Sequence, residues 1–186
     1  MNQLEQYVHQ NFQESYEEVS NSQRAHFLPI LTLEEKTIIY EYTNWEYLAV
    51  NSSLRKSNGT NVSEFAQYLD KILAKLPNYK DSVYRGAELP EPIFDKFQQA
   101  FLNKTPIIEH AFLSTSKSQI VAQEYFVGNF LFEIFGKKGK SIENIAKFGT
   151  YSYDNEQEVL FRKNSRFKVS DITKRSKYTL ITLKEL

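Results

Sequence analysis

The chain has 186 residues, 23 Lys or Arg against 23 Asp or Glu, and no cysteine. The missing thiols exclude a disulfide scaffold, a thiolate zinc site and a cysteine nucleophile, and a formal charge of zero supplies no global field toward nucleic acid or anionic lipid. Aromatics at 15% furnish core material for one domain, and no apolar run approaches the length that spans a bilayer.

The first sixteen residues hold Glu5 and Glu14 and no Lys or Arg, which is not the chemistry of a secretory signal. The expectation is export or delivery without a cleaved signal and action in a cytoplasm. Leu4, Tyr7, Val8, Phe12, Tyr16 and Val19 recur at spacings of three and four and predict a helical stripe. Thr32 and Glu35 form a capping box that opens a helix through about residue 42. A second helix is expected over 45–54, stopped by Asn58-Gly59. A third is expected from a cap at Asn61, with Val62, Phe65, Leu69, Ile72, Leu73 and Leu76 on one face and Pro77 at its end.

From about residue 82 the pattern changes. Strands are expected over 82–87, 107–113, 130–135, 156–161, 166–169 and 178–183, with a short helix over 91–101 that has Pro92 in its first turn. Helices followed by strands predict an α+β class with a mostly antiparallel sheet. The expected organisation is a single domain over 1–186: a helical extension over 1–30, helices over 31–80 and mainly strands over 81–186.

Several side chains invite chemistry, each against a plainer reading. Glu156 and Glu158 lie two apart, so on a strand they share a face; close like charges need a cation or a hydroxyl to settle them, although charges on a solvated edge are commoner. Arg85 is expected on the buried side of its strand with Val83 and needs an anion there, an internal carboxylate or a ligand phosphate. Gly86 beside it admits a close backbone or ligand. Ser114, Thr115 and Ser116 end an apolar strand and could orient a carboxylate on a neighbouring strand or simply cap a helix. His9, His26 and His110 are scattered without ligand spacing, and no phosphate-binding glycine loop is present. Residues 162–177 carry seven Lys or Arg and one Asp, a face that could steer an acidic partner but reads first as a solvated hairpin.

Order and spacing add what single motifs lack. Tyr84-Arg85-Gly86, then Phe112-Leu113-Ser114-Thr115-Ser116, then Glu156-x-Glu158 followed by Val159-Leu160-Phe161 resembles the mono-ADP-ribosyltransferases with the Arg–Ser–Glu signature. Within them it is similar to the bacterial exoenzyme, toxin and phage branch that modifies arginine. Tyr40 to Thr43 with Tyr47, Asn51, Leu54 and Arg55 resembles the helix that lines the NAD pocket of that family, and the likeness runs over about 31–169.

The resemblance implies N-terminal helices packed on a mostly antiparallel β-sandwich core of the ADP-ribosyltransferase type. It implies NAD+ as a substrate, no metal, and a target protein with an exposed arginine. Arg85 would bind the NAD diphosphate beside Gly86. Ser114, supported by Thr115 and Ser116, would orient Glu158, the catalytic glutamate, and Glu156 would face the incoming arginine. Tyr42, Tyr47 and Asn51 would contact the adenosine and phosphate part. Phe126 would stack on nicotinamide, and Tyr153, in the turn 147–155, would meet the target. A bacterial toxin, an effector or a phage enzyme is the implied setting, with neither membrane nor nucleic acid expected as a partner; an immunity protein covering the basic segment 162–177 is left open. The alternatives left open are an NAD glycohydrolase, transfer to nucleic acid, and a silent NAD-binding module.

Overall fold

The computed structural model describes residues 2–124 and 128–186. It divides into two compact units, one of Met1–Pro77 with Ser141–Glu158 and the other of Asn78–Lys140 with Val159–Leu186.

The first unit is built from helices. Asn2 and Glu5 close a capping box on α1 (Gln3–Asn11). The apolar stripe then breaks, because Phe12 leaves helical geometry at φ −138° and ψ 38° and α2 (Gln13–Ser20) starts afresh. Phe12 sets its ring against Tyr7 and Phe65, each at 5.7 Å, so the break docks an aromatic side chain. The box expected at Thr32 and Glu35 is present at the start of α3 (Leu33–Glu41). This helix is buried nearly all round, and three of its charged side chains are satisfied in place. Lys36 donates to the Ala25 carbonyl at 2.6 Å, Glu35 pairs with Lys75, and Glu41 accepts from Ser15, as buried polar groups must.

A π-helical turn (Tyr42–Glu46) joins α3 directly to α4 (Tyr47–Lys56), so the gap expected between two helices is a continuous helix with one widened turn. Asn58 and Gly59 stop it with φ of 50° and 78°. For α5 (Glu64–Lys75) the cap is Ser63, not Asn61. The Ser63 hydroxyl accepts from the Ala66 amide at 3.2 Å, while Asn61 turns back to donate to the Ser53 hydroxyl. Leu76 is extended before Pro77, as a residue preceding proline prefers.

The second unit is built on strands: β1 (Ser82–Ala87), β2 (Pro106–Glu109), β3 (Leu113–Ser116), β4 (Phe130–Phe135), β5 (Lys140–Ser141), β6 (Glu158–Phe161), β7 (Ser165–Lys174) and β8 (Thr179–Glu185). Among the described residues they join in the order β2-β7-β8-β4-β1-β3-β6-β5. β4 and β8 run parallel; β1 with β3, β1 with β4, β2 with β7, and β7 with β8 run antiparallel. Two helices, α6 (Glu91–Asn103) and α7 (Gln119–Glu124), lie between strands in sequence.

One expected strand, 107–113, is two. Glu109 turns its carboxylate onto the Ala111 amide at 3.0 Å, which ends β2. The chain then leaves the β7 edge and β3 joins β1 instead. The expected strand 156–161 begins at Glu158, because Gln157 takes φ 50°.

Alternate residues of β1, β4, β6, β7 and β8 fill the core: Val83, Phe130, Phe132, Ile134, Val159, Phe161, Phe167, Val169, Ile181 and Leu183. α6 covers it with Phe94 on Phe130 at 4.7 Å and Phe97 on Phe132 at 5.3 Å. Phe161 of β6 meets Phe167 of β7 edge-on at 5.5 Å, although four strands separate β7 from β6 in the order. The sheet therefore curls until distant strands face each other.

The C-terminal strand is fastened by a buried carboxylate. Glu185 accepts from the amides of Lys137 and Lys138 at 2.6 and 2.7 Å. Removing it strands two donors that had charged partners. Glu185→Ala is expected to lower stability by about 2–4 kcal/mol, seen as a fall in the urea midpoint with the slope unchanged.

Candidate active site

In the second unit, two neighbouring strands, β1 and β3, carry the basic and hydroxyl candidates. Arg85 is half-buried on β1, opposite Phe132, and donates from Nη1 to the Ser114 carbonyl at 2.7 Å. That bond fixes the orientation of the guanidinium fork on the strand next door. Gly86 is buried and pairs with Leu131.

The three hydroxyl residues have separate uses. Ser114 is half-buried and supplies its carbonyl to Arg85. Thr115 is buried and donates from Oγ1 to the Val159 carbonyl at 2.6 Å, tying β3 to β6. Ser116 turns the chain by accepting from the Ser118 amide at 3.0 Å. The plain capping role falls on Ser118, whose hydroxyl accepts from Val121 at 3.3 Å. Phe126, the expected stacking residue, lies outside the described residues.

The acidic residues come from the first unit. Glu158, 4% exposed, opens β6 immediately before the Val159 that Thr115 holds. Glu156 is outside the strand, so the alternation of a strand does not set its relation to Glu158; the left-handed turn at Gln157 does. The Gln157 amide donates to Asn155 Oδ1 at 2.9 Å and supports that conformation. Burial, and then the negative charge of Asp154, push the Glu156 carboxyl above the usual carboxylate range.

The stretch leading to Glu156 is folded in nested closures. Ile142 donates to the Glu158 carbonyl at 3.1 Å, Thr150 to the Glu143 carbonyl at 2.9 Å, and Glu156 to the Phe148 carbonyl at 2.9 Å. Gly149 is required here, since a Cβ would sit 1.8 Å from the Glu143 carbonyl oxygen. Tyr153 stands at the tip, 100% exposed.

Of the other aromatic candidates, Tyr47 is exposed at the start of α4. Tyr42 is fully buried and its hydroxyl accepts from Asn51 Nδ2 at 2.9 Å. The structure therefore brings Tyr42 and Asn51 to each other and leaves Tyr47 on the surface. Among the described residues, no cluster of three or more His, Asp or Glu is placed to hold a metal.

Sequence reading missed Arg24 and Lys147. Arg24 is buried and donates to the carbonyls of Ala146 and Lys147. The Lys147 amide donates to Thr43 Oγ1 at 2.8 Å and its ammonium pairs with Glu18 at 3.0 Å. Partners so far apart in the chain leave no local pattern to read.

A family model of the ADP-ribosyltransferase exoenzyme matches residues 4–185. The chain belongs to the ADP-ribosyltransferase exoenzyme family. The match begins at residue 4, well before residue 31, where the resemblance read from motifs begins. Among relatives, the chain is 31% identical over 165 residues to the NAD(+)–protein-arginine ADP-ribosyltransferase Tre1 of Serratia proteamaculans, a match over 87% of this chain and 34% of that protein. The chain thus spans about a third of the length of this relative.

Two crystal structures share the fold. The ADP-ribosyltransferase HopU1 of Pseudomonas syringae pv. tomato has a TM-score of 0.76 at 20% identity, covering 94% of this chain and 87% of that one. Exoenzyme S of Pseudomonas aeruginosa, solved with a human 14-3-3 protein and carba-NAD, has a TM-score of 0.73 at 19% identity, covering 98% and 86%.

The exoenzyme turn before Glu156 depends on the absent Gly149 side chain. Gly149→Ala is expected to break the closure between Thr150 and Glu143 and to cost about 1–3 kcal/mol, as overpacking does. Limited proteolysis should then cut within 148–155 faster than in the wild type.

Proposed function

We propose that the chain is an NAD+-dependent mono-ADP-ribosyltransferase that moves ADP-ribose to an arginine of a target protein, and that residues 1–186 work as one transferase domain. The observation that carries this reading is the sequence of neighbours β1-β3-β6, which hold Arg85, the Ser114 to Ser116 hydroxyls and Glu158. Family membership and the name of the relative Tre1 support it. The contact of Phe161 with Phe167 supports a sandwich form of the curled sheet.

In this reading Arg85 holds the NAD diphosphate, for which a planar fork pinned at one end by the Ser114 carbonyl is well suited. Tyr47 meets the adenosine side, Gly86 allows close approach of the diphosphate, and the Tyr42–Asn51 hydrogen bond stiffens the helix that carries Tyr47. Ser114 orients Glu158, and Thr115 and Ser116 hold the strand end. Glu158 accepts a hydrogen bond from the nicotinamide-ribose 2′-hydroxyl and stabilises the positive charge that grows on the ribose as the bond from C1′ to nicotinamide breaks. Nicotinamide leaves with the bonding electrons. An arginine Nη attacks C1′, and Glu156 orients that guanidinium and takes its proton. Tyr153 meets the target surface.

The setting we propose is a toxin or effector delivered into a target cell. The exposed Arg166 and Lys168 of β7 form a face that an acidic immunity protein would cover.

The two glutamates separate in a test with labelled NAD+, a lysate and a water-only control. Glu158→Gln should reduce both nicotinamide release and transfer by about 10²-fold or more. Glu156→Gln should leave most of the release in water and remove labelling of protein. Equal losses in the two variants would overturn the division of roles.

The pH profile gives an independent check. Glu156 works as a carboxylate, and its carboxyl is raised by burial and by Asp154. Transfer should therefore fail as pH drops through a value above the ordinary glutamate pKa of about 4.3. Asp154→Asn removes one cause of the raise, so the acid limb of kcat/KM for transfer should move to lower pH.

A further inference from the structure

The turn that carries Glu156 is gripped at its root by the N-terminal helices. Arg24 lies on a short 3-10 turn, Gln23–His26, and is 7% exposed. Its Nε donates to the Ala146 carbonyl at 3.3 Å and its Nη2 to the Lys147 carbonyl at 3.2 Å. The guanidinium sits over the Tyr40 ring at 5.1 Å and near the Tyr151 ring at 5.8 Å.

Taking a guanidinium out of water is costly. This one is spent on two successive backbone carbonyls at one point of the chain. An apolar side chain would fill the same space without fixing either carbonyl. The next residue, Phe148, supplies the carbonyl that accepts the Glu156 amide at 2.9 Å. A short line of bonds thus runs from Arg24 through residues 146–148 to the backbone of Glu156. Glu158 has a separate anchor, since the strand it opens is tied to β3 through Thr115 and Val159.

We infer that Arg24 is a positioning residue for the acceptor half of the reaction: it fixes the root of the turn and, through Phe148, the backbone of Glu156, while leaving Glu158 to its own strand. The inference rests on the role given to Glu156 above. It assigns the N-terminal helices a part in acceptor use rather than in NAD cleavage.

The test uses the full chain, as wild type, Arg24→Lys and Arg24→Met. Lysine keeps a cation near Tyr40 but loses the fork; methionine removes every donor. Three quantities are measured: hydrogen exchange at the Glu156 amide, nicotinamide release in water, and kcat and KM for transfer to a short arginine peptide. In the wild type the Glu156 amide should be protected. In Arg24→Lys it should exchange about tenfold faster, and kcat for transfer should fall about tenfold, while release in water stays within about twofold. Arg24→Met should show the same pattern more strongly.

An unprotected Glu156 amide in the wild type overturns the inference, whether or not the variants fold. So does unchanged exchange in Arg24→Lys, or transfer and release falling together. A wild-type protein with neither activity would instead defeat the proposed function, while exchange at Glu156 would still judge the positioning.

Discussion

The amide of Ile142 donates to the carbonyl of Glu158, and that bond closes the excursion that carries Glu156. Ordering each residue of such a loop costs about 1–2 kcal/mol of backbone entropy, so the turn within it stays ordered only with further support. Support comes from inside, through the Thr150–Glu143 and Glu156–Phe148 bonds and the space left by Gly149. It also comes from the helices that grip Ala146 and Lys147. The Tyr40 hydroxyl shows how tightly this region is packed. Among the described residues it is buried without a well-formed hydrogen bond, yet burial and the nearby Glu18 push its pKa up to about 12. It therefore stays neutral under the cations that share its ring, Arg24 and Lys147.

Local signals in the sequence were reliable where both partners lie within a few residues. The Thr32–Glu35 box, the stop at Asn58-Gly59 and the strands at 82–87 and 130–135 are of this kind. The readings that moved did so because a side chain chose a nearby backbone partner. Glu109 took the Ala111 amide and split a strand; Ser63 took the Ala66 amide and displaced Asn61 as a cap. Phe12 broke one apolar stripe into two helices without changing which side faces inward. The grip of Arg24 could not be read at all, because its acceptors are backbone carbonyls that carry no residue identity.

The Tyr42–Asn51 pair shows a subtler limit. At about 3.6 residues per turn, positions nine apart on a regular helix are half a turn out of phase. The π-helical turn Tyr42–Glu46 absorbs part of that rotation and lets the hydroxyl of one meet the amide of the other. The residues were legible as a motif, but their contact depends on a departure from regular geometry. Such widened turns are often found where function requires a particular facing.

Glu156 and Glu158 were legible as a pair for a reason that the fold replaces. Strand alternation would place them on one face with equal rigidity. Instead Glu158 belongs to a strand fastened sideways by Thr115, and Glu156 belongs to a turn bent by a left-handed Gln157. Groups on strands are held more tightly than groups on loops, so the two carboxylates differ in what must be added to fix them. For Glu158 the sheet suffices. For Glu156 the protein adds a buried guanidinium, a glycine where no Cβ fits, and a left-handed residue that costs about 1–2 kcal/mol. That unequal expense is intelligible if the chemistry at the ribose needs one fixed carboxylate, while a bulky incoming side chain needs a second one placed by a separately built turn.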